Sequence, residues 1–250
     1  MTLAPQARSM YLGVDGCPGG WLAVAYSDDG FEGARVYDRV ADLYAAHRDA
    51  DRILIDVPIG LRTDSSEPRA CDTAARSLLS PVRHHSVFPT PIRAAAHEDS
   101  YEVAKAVQER HTDGSLNRQT WGIAPKIAAV DTLLRDREHA RECVRESHPE
   151  VCFYGFAGEP MRYSKTGDPR RAYWERVAVL RTVEPDVYDH LWTAASTADA
   201  AASTDDLVDA FVVALTARSD RLRTLPEAPE QDDEGLPMEM VYRPLAAADR

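Results

Sequence analysis

The segment that decides the fold is Tyr11-Leu12-Gly13-Val14-Asp15-Gly16-Cys17-Pro18-Gly19-Gly20. Its first half is mostly apolar, as in a buried strand, and its second half has the glycine and proline residues of a turn. Residues 21–26 and 31–37 are predicted to form the next two strands, with a turn at 28–30 between them. Short turns join antiparallel neighbours, so the chain is predicted to begin with a three-stranded meander.

Working outward, residues 39–48 show helical spacing, and the near-continuous apolar run at 53–57 indicates a strand buried on both faces. The order β-β-β-α-β differs from the strict βαβ alternation of a Rossmann fold. Helices without strands are predicted for about 60–140, a strand for 142–147 and helices for 169–183, 185–195 and 205–221. We therefore predict one α/β domain over 1–250, with a mixed sheet, a helical insertion at about 60–140 and an acidic C-terminal tail at about 226–250. The tail is predicted to be an exposed loop over 226–234, with a short strand at 238–242.

Composition limits the function classes. No apolar run approaches the ~20 residues that span a bilayer, and the start lacks the features of a signal peptide, so we expect a cytoplasmic protein that does not enter membranes. The four cysteines are widely spaced, which argues against a zinc ribbon or a disulfide framework. The net charge of −12 would repel nucleic acid at ordinary salt. At molar salt the Debye length falls to ~3 Å, so the halophile-like composition leaves a nucleic-acid partner open. A GC-rich genome gives a similar composition.

Acidic residues occur where carboxylates are costly. Asp15 and Asp56 lie in apolar strand segments, Glu146 ends the predicted fifth strand, and Asp206 and Asp209 are spaced i, i+3 on the last long helix. A buried carboxylate costs several kcal/mol unless it is paired or binds a metal. If strands one, four and five are neighbours, three of these groups converge at the carboxyl edge of the sheet. Two Mg²⁺ or Mn²⁺ ions would relieve the crowding.

Each of these residues also has a structural interpretation. Asp15 and Asp56 could cap the turns that follow them. Asp206 suits the first turn of a helix because the helix dipole favours a negative charge there. Glu146 could be a solvated charge at a strand end. Asp209 lies deeper in its helix and is harder to explain in this way.

Four polar residues are candidates for binding substrate. Arg118 and Gln119 lie in a polar segment that could contact a phosphate or a base, and Lys126 and Lys165 are two of the three lysines in the chain. The segment around Lys165 lacks the full spacing of a P-loop. A simple solvated loop is the alternative interpretation for these segments.

The three acidic motifs, LGVDG at 12–16, ID at 55–56 and DLVDA at 206–210, resemble those of ribonuclease H-like nucleases, in particular Holliday-junction resolvases. The longer strings GVDGCPGGW, DVPIGL, SLNRQTWGIAPKI and ESHPEVCF resemble an uncharacterised family of predicted nucleases with a ribonuclease H-like fold. The resemblance covers about residues 11–217. Resolvases have a glutamate at the position of Asp56, and no counterpart of the helical insertion can be mapped in them.

The resemblance implies a metal-dependent nuclease that cleaves nucleic-acid phosphodiesters by a two-metal mechanism. Asp15, Asp56, Glu146, Asp206 and Asp209 would be the catalytic and metal-binding residues. One alternative is a nucleotide-binding phosphotransferase of the actin and sugar-kinase type, although such proteins need a duplicated domain. Another is a non-catalytic scaffold that binds nucleic acid or protein. A homodimer is also left open.

Overall fold

The computed structural model describes residues 8–198 and 202–244. Its centre is a five-stranded mixed sheet in the order β3-β2-β1-β4-β5. The first three strands are antiparallel, and β4 and β5 are parallel to β1. The strands are β1 (Met10–Cys17), β2 (Gly20–Ser27), β3 (Gly30–Tyr37), β4 (Arg52–Ile55) and β5 (Val144–Glu146). The predicted mixed α/β architecture and the β-β-β-α-β order are confirmed.

Ten helices are present in the described ranges. They are α1 (Val40–Ala46), α2 (Ala70–Leu79), α3 (Arg93–Ala96), α4 (Tyr101–His111), α5 (Arg118–Asp136), α6 (Glu138–Cys143), α7 (Pro149–Ala157), α8 (Pro169–Val183), α9 (Val187–Thr197) and α10 (Thr204–Ala217). Helices α2 to α6 lie between β4 and β5 in the chain, where helices without strands were predicted. Within the described residues, no helix combines the length and the apolar character needed to cross a membrane.

The sheet is covered on both faces, and strand periodicity decides which residues face each layer. Leu12 and Val14 pack with α1 and α5, whereas Leu54 packs on the other side with α7 to α10. Because side chains alternate along a strand, Gly13 and Asp15 point to the side opposite Leu12 and Val14. Asp56 follows β4 in phase with Leu54. The sequence alternation therefore directs both aspartates toward the layer that contains α10.

Gly13 lets α10 approach β1 closely. A Cβ atom at this position would lie 2.6 Å from the Cα of Ala214 and would also overlap backbone atoms of Ala210. These atoms belong to the helix backbone, so a side-chain rotation cannot relieve the clash. The contact brings the helix that carries Asp209 against the strand that carries Asp15.

We expect Gly13→Ala to destabilise the fold by at least about 1–3 kcal/mol, because the added methyl group overpacks the contact between β1 and α10. Gly122→Ala in α5 is the matched control, since no atom of residues 8–198 or 202–244 lies within 4 Å of its Cβ position, apart from its own backbone neighbours. Alanine is favoured over glycine in a helix, so the control is expected to gain up to about 1 kcal/mol. Urea unfolding of the metal-free proteins measures both changes. Equal stability of the two variants would contradict the close approach.

The C-terminal region differs from the sequence prediction. The segment predicted as an exposed loop at 226–234 lies largely in β6 (Arg223–Gln231), which pairs with β7 (Pro237–Tyr242) in a separate antiparallel sheet. The prediction of a loop was therefore wrong, whereas the predicted strand at 238–242 is confirmed. Acidic and proline residues are typical of a loop, and the pairing of β6 with β7 cannot be read from the sequence of β6 alone. The sequence therefore did not indicate a strand here. Residues 245–250 of the predicted tail lie outside the described residues.

Candidate metal-binding site

Asp15 and Asp56 lie side by side at the carboxyl edge of the sheet. Val14 pairs with Ile55 in the parallel register of β1 and β4, and the backbone N–H of Asp56 donates to the carbonyl of Val14 at 2.9 Å. Asp15 is buried and accepts a hydrogen bond from the N–H of Gly16 at 2.7 Å, while Asp56 is partly buried. The turn-capping role considered for Asp15 is thus present, but it uses only one carboxylate oxygen.

Asp209 enters the same region from α10. Its side chain is buried and bonds to the ammonium group of Lys165, which lies in the loop between α7 and α8. Its other oxygen, Oδ1, is buried and has no hydrogen-bond partner among the described residues. A buried acceptor without a partner costs folding free energy, so this oxygen could be satisfied by a cation or by a hydrogen-bond donor.

The charges of these residues act on one another. Burial, followed by the repulsion from Asp56 and Asp209, raises the pKa of Asp15 well above its ordinary value. Burial also raises the pKa of Asp56, against the attraction of His148 and Lys165. For Asp209, burial outweighs Lys165 and raises the pKa to about 6. All three carboxylates therefore resist ionisation in the metal-free state, and a divalent cation would favour the ionised form.

Glu150 is a further acidic group in this region that the sequence analysis missed. It is buried at the start of α7 and forms an ion pair with the buried Arg176, while its Oε2 has no hydrogen-bond partner among the described residues. Its negative charge raises the pKa of both Asp56 and Asp209. Glu150 also takes part in the start of α7, where its N–H donates to Nδ1 of the capping residue His148.

Glu146 lies in a different environment from the aspartates. Its two oxygens accept hydrogen bonds from Arg69 at 2.7 and 2.8 Å, and Oε2 also accepts from the N–H of Ile59. Arg69 is also paired with Asp72 at 2.7 Å. Burial lowers the pKa of Arg69, but the two carboxylates outweigh it and raise the pKa well above its ordinary value. Burial nevertheless outweighs the attraction of Arg69 and raises the pKa of Glu146 to about 7. The ion pair with Arg69 gives Glu146 a structural role without any metal.

A second group of potential ligands overlaps this ion pair. Cys71, Asp72 and Glu146 are buried and offer ligand atoms within 4.8 Å of one another, so they could hold a metal ion. Arg69 already donates hydrogen bonds to both carboxylates. In addition, burial raises the pKa of the Cys71 thiol, which opposes the thiolate form that binds metals. These donors fit a cation less well than the oxygens around Asp15 do.

A cavity of about 390 Å³ opens beside the aspartates. We call it the acidic cleft; its lining includes Asp15, Asp56, Lys126, Glu146 and His148. The ammonium group of Lys126 donates to the carbonyls of Cys17 and Gly20 and lies 4.6 Å from the centre of the Trp21 ring. Lys126 therefore fixes the glycine-rich turn after β1, in addition to lining the cleft.

Comparison with known proteins identifies the family of the chain. The family described as "Protein of unknown function (DUF429)" matches residues 13–231. The chain belongs to this family. No curated protein and no solved structure matches the chain.

The span shared with the DUF429 family contains all nine residues proposed from the sequence, but the structure does not bring all of them together. Asp206 affects the pKa of Asp15, yet its side chain also accepts from the N–H of Ser203 in a capping box at the start of α10. Arg118 is exposed, lies over the ring of Tyr101 and lines neither the acidic cleft nor the cavity next to it. The predicted placement of Arg118 at the site is therefore not supported.

Proposed function

We propose that this protein is a metal-dependent phosphodiester hydrolase of ribonuclease H-like fold that acts on nucleic acid. The order of its strands, with an antiparallel meander followed by two parallel strands and a final helix on β1, supports the fold assignment. The observation that carries the functional proposal is the meeting of Asp15, Asp56 and Asp209, which come from β1, the end of β4 and α10. These residues are far apart in the sequence and close only in the fold.

The available ligands fit a hard cation. Carboxylate oxygens are the donors that Mg²⁺ and Mn²⁺ prefer, and Asp209 Oδ1 is buried without a hydrogen-bond partner in the described part of the chain. Asp15, Asp56 and Asp209 would together hold the metal ions. In the metal-free protein, Lys165 bonds to Asp209 and offsets part of the repulsion between the carboxylates. Glu146 is left out of this ligand set because Arg69 already matches its charge.

When bound, such ions would lower the pKa of a coordinated water and stabilise the charge that develops on the phosphate. The side chains of this protein would contribute binding and orientation. Asp15 is held by the N–H of Gly16, and Lys126 fixes the turn that follows. His148 caps α7, so its Nδ1 is used by the N–H of Glu150, and we assign it no proton transfer.

Calorimetric titration with Mn²⁺ tests the metal site. We expect the wild-type protein to bind Mn²⁺ and Asp209→Asn to bind at least about tenfold more weakly, because the variant loses a charged ligand. Asp186→Asn is the matched control, since Asp186 is exposed and caps α9 without a side-chain hydrogen bond. Absence of Mn²⁺ binding by the wild-type protein, or equal affinities for wild type and Asp209→Asn, would refute the metal site.

A further inference from the structure

A second cavity of about 530 Å³ lies next to the acidic cleft. We call it the arginine cavity; its lining includes Arg62, Arg69, Arg76, His84, His85 and Gln119. The two cavities share Arg69, Asp72, Val87 and Phe88 as a common wall. Both volumes fall within the range of about 300–1,000 Å³ that is usual for ligand sites.

The arginine cavity has three arginines in its lining, in a chain whose net charge is −12. Arg69 is already paired with both Asp72 and Glu146, and Arg76 donates two hydrogen bonds to the carbonyl of Val87. The remaining donors are only partly used. The Nε of Arg62 is buried and has no hydrogen-bond partner among the described residues, and its ion pair with Glu230 is long, at 3.7 Å. The cavity therefore offers guanidinium donors to an anionic ligand.

Phe88 supplies an aromatic surface at the junction of the two cavities. The ring is partly exposed and lines both of them. Its position is held by Arg76, which donates two hydrogen bonds to the carbonyl of the preceding residue, Val87, at 3.1 and 3.0 Å. An aromatic ring beside guanidinium groups is the combination that binds an unpaired base and its phosphate.

We propose that the arginine cavity binds the nucleotide next to the reacting phosphate of a single-stranded nucleic acid. The base stacks on Phe88, and Arg62 and Gln119 contact the adjoining phosphate and sugar. A base can stack on this ring only when it is unpaired, so the aromatic surface favours a single strand over a duplex. The assignment rests on the proposed phosphodiester hydrolysis in the acidic cleft, and it names a single strand as the substrate.

Fluorescence anisotropy with a short, labelled oligothymidylate tests this assignment. Phe88→Leu keeps an apolar side chain but removes the ring, and we expect about tenfold weaker binding of the single strand. Phe88→Trp retains a stacking surface and should restore binding. Arg62→Gln should lower the salt dependence of binding by about 0.7 in log–log slope, since one phosphate contact is lost. Arg110→Gln is the control, because Arg110 is exposed on α4 and lines neither cavity.

Thermal melting checks that each variant is folded. If Phe88→Leu does not fold, Arg62→Gln still tests the assignment. Unchanged affinity in both variants would overturn the assignment, as would the absence of any oligonucleotide binding. Equal losses of single-strand and duplex binding would also overturn it. Thymidine monophosphate is tested as a competitor at the same concentration of nucleotide units as the oligonucleotide. If it displaces the oligonucleotide, the cavity binds a free nucleotide, and the assignment to a strand is overturned.

Repeating the titration in Ca²⁺ and in chelator separates this inference from the proposed function. If the metal site does not exist, the affinities in Ca²⁺ and in chelator will agree, while the effect of Phe88→Leu remains. If only the inference fails, Mn²⁺ will still bind in the calorimeter while Phe88→Leu leaves oligonucleotide binding unchanged. The two failures are therefore distinguishable.

Discussion

Asp15→Asn is expected to abolish cleavage of nucleic acid while leaving the metal-free protein folded. The asparagine oxygen can still accept the hydrogen bond from the N–H of Gly16, so the turn after β1 is retained. What the variant loses is the negative charge that would be shared between two cations. Loss of several kcal/mol of charge stabilisation corresponds to a fall in rate of at least about a thousandfold.

The same substitution should increase the stability of the metal-free protein. Burial and the neighbouring aspartates raise the pKa of Asp15, which means that the ionised form destabilises the folded state at neutral pH. A neutral amide removes this repulsion. In a chain of this size each kcal/mol gained raises the Tm by about 2–4 °C. A scaffold without catalytic activity would also show the increase in Tm, but its wild-type form would not cleave nucleic acid. The two measurements must therefore be made together.

Cleavage is measured with labelled single-stranded DNA in Mn²⁺ and again in chelator, and Asp186→Asn provides the control for a surface carboxylate. Wild-type cleavage that continues in chelator would contradict the dependence on metal. A full rate for Asp15→Asn in Mn²⁺ would remove Asp15 from the catalytic site. Either result would end the interpretation of the aspartate cluster as a hydrolase centre.

The sequence predicted the sheet because its signals are local. Gly13 and Asp15 alternate with Leu12 and Val14, and this period of two specifies the buried faces of β1. Turn residues at 16–20 and 28–30 similarly specify the antiparallel meander. The placement of Asp209 beside Asp15 was also predictable, since a carboxylate inside an apolar helix needs a partner.

The contacts that the sequence did not specify depend on strand register and on distant elements. Glu146 pairs with Ile55 and not with Asp56, and its side chain bonds to Arg69, although it still lines the acidic cleft with Asp15 and Asp56. An error of one residue in the strand register reverses the face, and the sequence does not specify that register. Glu150 was missed because its partner, Arg176, lies on another helix. The contact of Lys165 with Asp209 likewise depends on how a loop folds across α10.

Arg69→Met is expected to cause the largest loss of stability among these variants, about 3–5 kcal/mol. Arg69 is 1% exposed and neutralises both Asp72 and Glu146, which are equally inaccessible to water. Methionine fills a similar volume but leaves two buried carboxylates without a counter-charge. Urea unfolding of the metal-free protein measures the loss, and Arg110→Met on exposed α4 is the control for replacing an arginine by methionine.

The companion variant Glu146→Gln distinguishes a structural role for this carboxylate from a role as a metal ligand. If Glu146 acts only through Arg69, the variant should bind Mn²⁺ with the wild-type affinity, because no metal ligand is lost. The double variant Arg69→Met/Glu146→Leu should recover part of the stability lost in Arg69→Met, because replacing a buried ion pair by apolar groups is far less costly than breaking it. A tenfold fall in Mn²⁺ affinity for Glu146→Gln would instead make Glu146 a ligand. The ion pair with Arg69 would then have to open when the metal binds, since both oxygens of Glu146 are occupied by the guanidinium group.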